Sequence, residues 1–432
     1  MKRLAMVAAL IGVARLVGAV GSGGYTNQVV DTKALSLGNA FTAVADNPSA
    51  LFFNPAGLAT LGTQATVGVA PTFSRTEYHP SAGGGQESTD NSPIFVPNLF
   101  ATHQLNDVLG LGVGIYSPFG LETHWSNTGS LRYVATDSRL RVVEMSAGVG
   151  YQPMPTISIG AGAVYTRVDA RLQSQMNLTA LNTFLAGGTL TPSLDGTKTL
   201  EGDGGAFGYT AGVLFNPTEK YRLGISYRSA FHVTVKGDTK LEGLSAQSAG
   251  LFGGTSYQTR TETRVVLPES FTLGGAVSAT EKLIVSADAE WVNYGRVKNT
   301  SFQFSETEPN RAGVLNQGNP VPRDWDATWN VGVGAQYKLN EQWEPRAGYF
   351  YYPEAIPEST WEPSTPESER HGFAVGLGYI TGPVTVDFAY NYIWFKDRSI
   401  SNQVGASSLA TVNGEYASSP HILSMNLTYR WR

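Results

Sequence analysis

The chain has 432 residues, no cysteine, a formal net charge of −5 and only 15% charged residues. The lack of cysteine excludes disulfides, catalytic thiols and a lipid-modified cysteine, and the negative net charge argues against nucleic acid as a partner. The 49 Gly, 20 Tyr, 19 Phe and 8 Trp are typical of many short strands joined by turns, rather than of two or three soluble domains.

The first 21 residues have the pattern of an export signal. Lys2 and Arg3 give a positive start, residues 4–14 are apolar, and small residues follow at 17–21. As a transmembrane helix this segment would be short, and the central Arg15 would cost about 2.5–3.5 kcal/mol. We therefore predict a signal peptide over residues 1–21.

Residues 22–62 lack the alternation of strands. They combine short helical patterns with turn signals at Asp46-Asn47-Pro48 and Asn54-Pro55-Ala56-Gly57, and they are too apolar for a disordered tail. The strands that follow predict a large barrel, whose lumen side chains alone do not fill. We predict that residues 22–62 form a hatch, or plug, inside that lumen.

From residue 63 to residue 432 apolar and polar residues alternate, as in strands with one apolar face. Between residues 221 and 236 the apolar side chains take odd positions, which places even positions such as Arg228 and His232 on the inward face. The alternation predicts fourteen strands, an even number as in single-chain outer-membrane barrels. They lie near 64–78, 92–105, 108–124, 131–152, 156–173, 205–216, 220–236, 257–279, 282–298, 325–339, 342–353, 370–381, 383–397 and 419–432.

Two features favour a membrane barrel over a soluble sandwich, which also alternates. Aromatic residues flank the apolar faces, and short turns alternate with long loops at about 174–204, 237–256, 299–324, 354–369 and 398–418. Because every backbone amide in hydrocarbon must be paired, such a sheet must close on itself. The predicted fold is all-β: a transmembrane, antiparallel barrel of fourteen strands over residues 63–432, with the hatch inside. The apolar run 178–185 predicts a short helix at the mouth.

Eight short segments, in order along the chain, resemble the FadL/TodX (OMPP1) family of outer-membrane transporters for fatty acids and aromatic hydrocarbons. Each segment is weakly specific, but the ordered set spans nearly the whole mature chain. The segments are SLGNAF (36–41), ADNPSA (45–50), FFNPAG (52–57), SPFGL (117–121), RLGISYRS (222–229), LPES (267–270), WDATW (325–329) and RAGY (346–349).

The resemblance implies a route for the ligand. The ligand would meet a hydrophobic groove between external loops, enter a pocket near the hatch, and leave sideways where the third strand is kinked. Ser117, Pro118, Phe119 and Gly120 occupy that place, and the Pro and Gly would interrupt strand pairing in any case. The alternative is an ordinary turn at the outer rim.

The resemblance also implies basic residues that meet a ligand carboxylate. Arg167 matches one such position by local sequence, although its parity points it outward. The second position is Asp326 here, with Arg323 nearby, and Arg228 is a third candidate. Because each buried methylene contributes about 0.8 kcal/mol, a cation would mainly orient a long-chain ligand.

The hatch carries an apolar set that a polar lumen would not leave exposed. We expect these residues either to pack on the wall or to line one side of a ligand pocket. They are Phe41, Leu51, Phe52, Phe53, Asn54, Pro55 and Ala56.

We therefore predict a monomeric channel for passive uptake of hydrophobic molecules, embedded in outer-membrane lipid and lipopolysaccharide. No cofactor or metal site is expected, because the six His residues are scattered and no metal or nucleotide motif occurs. Two alternatives remain. The missing Gly-x-Ser-x-Gly motif and the inward parity of His232 argue against a lipid-processing enzyme, and the apolar hatch argues against a general porin.

Overall fold

The computed structural model of the protein describes residues 24–27, 29–90 and 92–431. The predicted signal peptide, residues 1–21, lies outside them. The described chain forms a closed antiparallel barrel of fourteen strands, which confirms the predicted fold class. The first strand pairs with the last from Gln64↔Arg430 to Phe73↔His421, and this pairing closes the sheet.

We number the barrel strands β1 to β14 in chain order and treat two segments separated by a short break as halves of one strand. Their bounds are Gln64–Phe73 (β1), Ile94–Asn106 (β2), Leu109–Tyr116 and Gly120–His124 (β3), Asp137–Met154 (β4), Ile157–Met176 (β5), Gly196–Phe215 (β6), Tyr221–Arg228 and Phe231–Glu242 (β7), Ser256–Leu267 and Ser270–Ser278 (β8), Leu283–Val292 and Phe302–Phe304 (β9), Thr328–Tyr337 (β10), Trp343–Tyr352 (β11), Arg370–Thr381 (β12), Val384–Phe395 (β13) and His421–Arg430 (β14).

The outer face of the wall is apolar, and four of its aromatic residues lie side by side. Tyr227 of β7 pairs with Phe271 of β8, Phe271 pairs with Trp291 of β9, and Trp291 pairs with Trp329 of β10. A row of this kind is typical of the interface girdle of an outer-membrane barrel. It marks the level at which these strands leave the hydrocarbon on the side of the long loops.

The hatch lies in the lumen and contains two short α-helices, Thr32–Ser36 (α1) and Ala50–Phe53 (α2), and a 3₁₀-helix, Pro55–Thr60. Asp31 caps α1 by accepting a hydrogen bond from the amide of Ala34 over 2.9 Å, and it accepts another from Nδ2 of Asn426 in β14 over 2.8 Å. Asp288 of β9 accepts hydrogen bonds from the amides of Phe41 and Thr42. The hatch is therefore bound to opposite parts of the wall.

Inward-facing glycines let the hatch backbone touch the wall. A Cβ atom at Gly160 of β5 would lie 2.2 Å from the carbonyl carbon of Pro55, and one at Gly348 of β11 would lie 2.2 Å from the amide nitrogen of Gly38. Neither position has room for a side chain. Many of the glycines that interrupt the strand pattern are thus positions of close hatch contact.

The two ends of the barrel differ as predicted. Short turns such as residues 107–108 and 382–383 join the strands at one end, and long segments join them at the other, which is the external end by the usual pattern. The external segments contain the α-helices Leu178–Leu185 (α3), Ala246–Phe252 (α4) and Pro309–Leu315 (α5). The helix predicted at 178–185 is confirmed. Among the described residues no helix is long and apolar enough to cross a membrane.

Short strands and 3₁₀-helices complete the external segments, and an aromatic cluster that includes Tyr78, Trp125, Trp361 and Tyr416 packs them together. The strands are Thr76–Pro80, Glu87–Ser88, Asn299–Thr300, Val321–Pro322, Arg398–Ile400 and Gly414–Ser418, and the 3₁₀-helices are Ser130–Tyr133, Tyr294–Arg296, Glu358–Thr360 and Ala406–Ser408. The first predicted strand, 64–78, therefore ends early, because the residues after Phe73 join a separate external sheet.

The alternation predicted through residues 221–236 is wrong beyond Arg228. A break at residues 229–230 shifts the parity by one, so Phe231, Val233 and Val235 are buried inside and His232 is exposed on the outer face. A one-residue shift reverses every later side chain in a strand. The inward parity of His232, used above against an enzyme, is thus also wrong. The predicted strand 257–279 is likewise divided, at Pro268 and Glu269.

Candidate functional site

A mostly apolar pocket lies in the external half of the barrel and holds about 920 Å³ of atom-free space. We call it the outer pocket. Its polar contributors include Tyr25 at the start of the hatch and Arg323 from an external segment. Its apolar lining comes from strands on both sides of the barrel and from the external segments: Leu121, Leu140, Ala170, Leu172, Leu200, Val235, Val265, Val266, Val297 and Phe302.

Arg323 is the buried cation of this pocket, and it is already paired. Its Nη1 lies 2.6 Å from Oε1 of Glu362, and its Nε donates to Oγ1 of Thr300 over 3.1 Å. Burial lowers the pKa of the Arg323 guanidinium, but the Glu362 carboxylate raises it and prevails, so Arg323 stays charged. A ligand carboxylate would have to share Arg323 with Glu362.

A second cavity, which we call the hatch cavity, lies between the hatch and β7 to β11 and has about 620 Å³ of atom-free space. Of the seven hatch residues singled out in the sequence, Phe52 and Phe53 line it. Phe41 is fully buried and packs edge-on against Phe53, with 5.3 Å between ring centroids. Phe41 therefore supports the cavity from behind.

The other hatch residues pack on the wall. Leu51 is buried beside Gly112, Gly114 and Gly148, and Pro55 lies against Gly160. Ala56 is fully buried.

Asn54 fixes the chain between α2 and the 3₁₀-helix. Its Nδ2 donates to the carbonyl oxygens of Thr42 and Val213, and its Oδ1 accepts from the amide of Ala56. This turn ties the hatch to β6.

Arg228 lies in the hatch cavity and joins the wall to the hatch. Its Nη2 donates to Oε2 of the fully buried Glu144 over 2.5 Å, and its guanidinium stands 4.2 Å from the ring centroid of Phe52. The hydroxyl of Tyr116 interacts with both members of this pair. Arg228 is therefore held between a buried carboxylate and a hatch aromatic ring.

Ser117, Pro118 and Phe119 form the break between the halves of β3. β2 pairs with β3 only through Leu99–Asn106, and among the described residues Ile94–Asn98 have no partner on that side. The second half of β3 pairs only with β4, from Gly120↔Arg141 to His124↔Asp137. The wall is thus unpaired between β2 and the second half of β3.

The start of the hatch occupies the break. Thr26 forms an isolated antiparallel bridge with Phe119, and the amide of Asn27 donates to the carbonyl oxygen of Pro118 over 2.7 Å. Nδ2 of Asn27 donates to the carbonyl oxygen of Ser117 over 3.0 Å. The hatch therefore supplies hydrogen bonds to the residues of the break, which have no partner in β2.

A cleft of about 900 Å³ of atom-free space lies at the outer end of the unpaired edges, where residues beyond these edges such as Thr76, Thr89 and Asp90 also line it, and we call it the wall cleft. Pro93 and Ile94 line it from the β2 side, and Leu121 to His124 line it from β3. Leu121 also lines the outer pocket. The cleft and the pocket thus meet at one side chain.

Arg167 is not brought to any of these cavities. It is 54% exposed on the outer face of β5, where its Nη2 lies 2.9 Å from Oδ2 of Asp203. The odd-numbered residues of β5 face outward, and no bulge reverses them. The outward orientation of Arg167 that its odd position predicts is therefore correct.

Sequence analysis missed three features of the site. Tyr25, Glu144 and Val235 were not among its candidates, yet each lines a cavity or pairs with a residue that does. Glu144 has the same parity as the buried Leu140 and Val142, so a lone acid on the inward face of β4 was a detectable signal. No local pattern indicated Tyr25, because its place depends on long-range hatch packing.

The hatch lies inside the lumen and packs on the wall. The lipid-facing wall and the mostly apolar pocket indicate an outer-membrane transport protein for hydrophobic molecules. Residues 19–431 match the family model described as outer membrane protein transport protein (OMPP1/FadL/TodX). The chain belongs to this family, and the protein is located in the bacterial outer membrane.

Three relatives illustrate the match. The long-chain fatty acid transport protein of Escherichia coli O6:H1 is 23% identical, with 88% of this chain and 89% of the relative aligned. The structure of a FadL homologue of Pseudomonas aeruginosa is 20% identical, covers 95% of this chain and 100% of its own, and has a TM-score of 0.82. The toluene transporter TodX of Pseudomonas putida is 19% identical, covers 96% and 100%, and has a TM-score of 0.71. The two structures show the same fold.

Proposed function

We propose that the protein is a passive channel that takes a hydrophobic molecule into the outer pocket and releases it sideways through the wall cleft. The observation that carries the proposal is the shared position of Tyr25. This residue lines the outer pocket, and its carbonyl oxygen accepts a hydrogen bond from the amide of Gly120 at the break in β3.

The outer pocket suits an apolar ligand. Eight Leu and Val side chains provide much of its apolar lining, and each methylene buried there contributes about 0.8 kcal/mol. An alkyl chain would therefore gain most of its affinity from the pocket wall. External access is supported by the apolar side chains of the loops, of which Phe184, Leu190 and Leu194 are more than 70% exposed.

Release requires the hatch to shift. The bridge between Thr26 and Phe119 and the hydrogen bonds from Asn27 fill the edge that β2 leaves unpaired. A ligand that displaces Tyr25 would pull on these bonds and free the cleft. Phe52 and Phe53 form the apolar side of the hatch that a moving ligand would then meet.

Long-chain fatty acids are the substrate class that we favour, with aromatic hydrocarbons second. The Escherichia coli relative is named for fatty acids and the Pseudomonas putida one for toluene. Arg323 in the outer pocket and Arg228 in the hatch cavity are two interior cations that a carboxylate can meet. A neutral hydrocarbon would use neither.

We infer that the protein has no catalytic activity. The family is one of outer-membrane transport proteins, and this supports the inference.

The test uses the lack of native cysteine. Ile94→Cys places a thiol in the wall cleft, and Leu99→Cys places one on the lipid face of the same strand. We expect a bulky maleimide on the thiol of the Ile94→Cys variant to stop fatty acid uptake by cells, and the same label on the Leu99→Cys variant to leave it unchanged. Normal uptake through a fully labelled Ile94→Cys barrel would contradict release at this cleft.

A further inference from the structure

The barrel wall has a second unpaired stretch, between β8 and β9. Below it, the pairing of these strands runs up to Ser270↔Val292, and above it pairing resumes only at Thr261–Thr263 with Phe302–Phe304. Among the described residues, Arg264 to Leu267 have no β9 partner.

The residues that follow Val292 do not pair with β8 here, because they are hydrogen-bonded to another segment. After Val292 it turns into the 3₁₀-helix Tyr294–Arg296, and the carbonyl oxygens of Val297 and Lys298 then accept hydrogen bonds from the amides of Trp325 and Arg323. The wall is thus held open by bonds to an external segment.

A groove with about 1060 Å³ of atom-free space lies on the outside of this stretch, and we call it the outer groove. Thr263, Arg264, Val266 and Asn299 line both the outer groove and the outer pocket. The pocket is therefore separated from the outside of the barrel here by a single layer of residues.

The outer groove lies directly above the aromatic row of the wall. Phe271 and Trp291 belong to that row, and the last β8–β9 pair, Ser270↔Val292, is one residue further along each strand. The groove thus begins where the membrane hydrocarbon ends, at the level of lipid head groups.

The rim of the groove carries free positive charge. Arg264 and Lys298 are exposed and make no ion pair with any residue in the described chain. Arg296 is bound to Glu269 over 2.8 Å, and Glu262 lies 3.6 Å from Lys236. Two unpaired cations therefore remain for an anionic group.

We propose that this stretch is a second opening of the outer pocket. It admits the alkyl tail of a single-chain carboxylate amphiphile from the membrane surface, while Arg264 and Lys298 hold the carboxylate at the rim. The proposal rests on the proposed function of the outer pocket and adds a route into it and a preferred ligand charge.

The first experiment blocks the opening. Val266→Cys places a thiol where the groove and pocket meet, and Gln258→Cys, exposed higher on the same strand, is the matched control. Both purified proteins are labelled with a bulky maleimide, and binding of a fluorescent fatty acid is followed by stopped flow. We expect the label on the Val266→Cys protein to slow both association and dissociation, and the label on the Gln258→Cys protein to alter neither rate.

The second experiment tests the charge. Arg264→Gln combined with Lys298→Gln should slow association of the ionised fatty acid by about tenfold at low ionic strength, and should leave its methyl ester unaffected. An unchanged association rate in the blocked Val266→Cys protein would overturn the second opening. Failure of the unlabelled protein to bind fatty acid at all would overturn the proposed function, and this proposal with it.

Discussion

The amide of Gly120 donates a hydrogen bond to the carbonyl oxygen of Tyr25 over 2.8 Å, and this bond joins the broken third strand to the first described residues of the hatch. A strand edge that would otherwise be unpaired is thereby satisfied by the segment that also lines the outer pocket. We propose that this contact links occupation of the pocket to exposure of the wall cleft.

Removing the Gly120 donor should loosen that link. Gly120→Pro lacks the amide hydrogen, and a single hydrogen bond contributes about 1 kcal/mol. We expect faster hydrogen exchange at the amide of Asn27 and faster uptake of fatty acid. Gly120→Ala keeps the donor and is the control. Equal exchange at Asn27 in both variants would show that the bond does not hold the hatch.

The buried pair of Arg228 and Glu144 should be essential to the barrel's stability. Arg228→Met leaves a fully buried carboxylate without its partner, which costs about 3–5 kcal/mol. Urea unfolding followed by tryptophan fluorescence should show this loss, and the added change Glu144→Gln should recover much of it. If the double variant were no more stable than Arg228→Met, the lost charge pairing would not explain the effect.

Arg323 should decide between ionised and neutral ligands. Arg323→Gln removes the pocket cation and leaves Glu362 facing the ligand, so affinity for a fatty acid should fall about tenfold, or about 1.4 kcal/mol. Affinity for the methyl ester should stay the same. The double variant Arg323→Gln with Glu362→Gln lacks both charges. Its affinity for the fatty acid therefore shows how much of the loss comes from the missing attraction by Arg323 and how much from repulsion by Glu362. Equal weakening of acid and ester would instead indicate a change in pocket shape.

The barrel wall could be predicted from the sequence because its strands show a local signal. Every second side chain faces lipid and must be apolar, which gives a period of two. That signal failed at residues 229–230, where a break places Phe231, Val233 and Val235 inside the pocket wall. The alternation of apolar and polar residues continues through residue 236, so the sequence has no marker of the break, after which the apolar face points inward instead of toward lipid. The outer pocket also depends on Tyr25 and Arg323, which are nearly 300 residues apart in the chain.

The hatch should be needed for uptake but not for barrel assembly. Phe52→Asp puts a charge into the hatch cavity, and Pro55→Ala frees the turn that follows Asn54. We expect both to reduce uptake, the first more strongly, while heat-modified gel mobility still shows a folded barrel. Phe52→Leu is the control for size and polarity. Normal uptake by both altered hatches would refute a role for this side of the hatch.

A crystal structure of the protein with a brominated long-chain fatty acid tests the central claim most directly, because anomalous scattering locates the bromine without assumptions about the ligand. We expect a peak inside the outer pocket, among Leu140, Val235 and Val265, with the carboxylate toward Arg323 or the rim at Arg264. A bromine peak confined to the external loops around Leu178 and Phe252, with the outer pocket unoccupied at saturating ligand, would contradict the account.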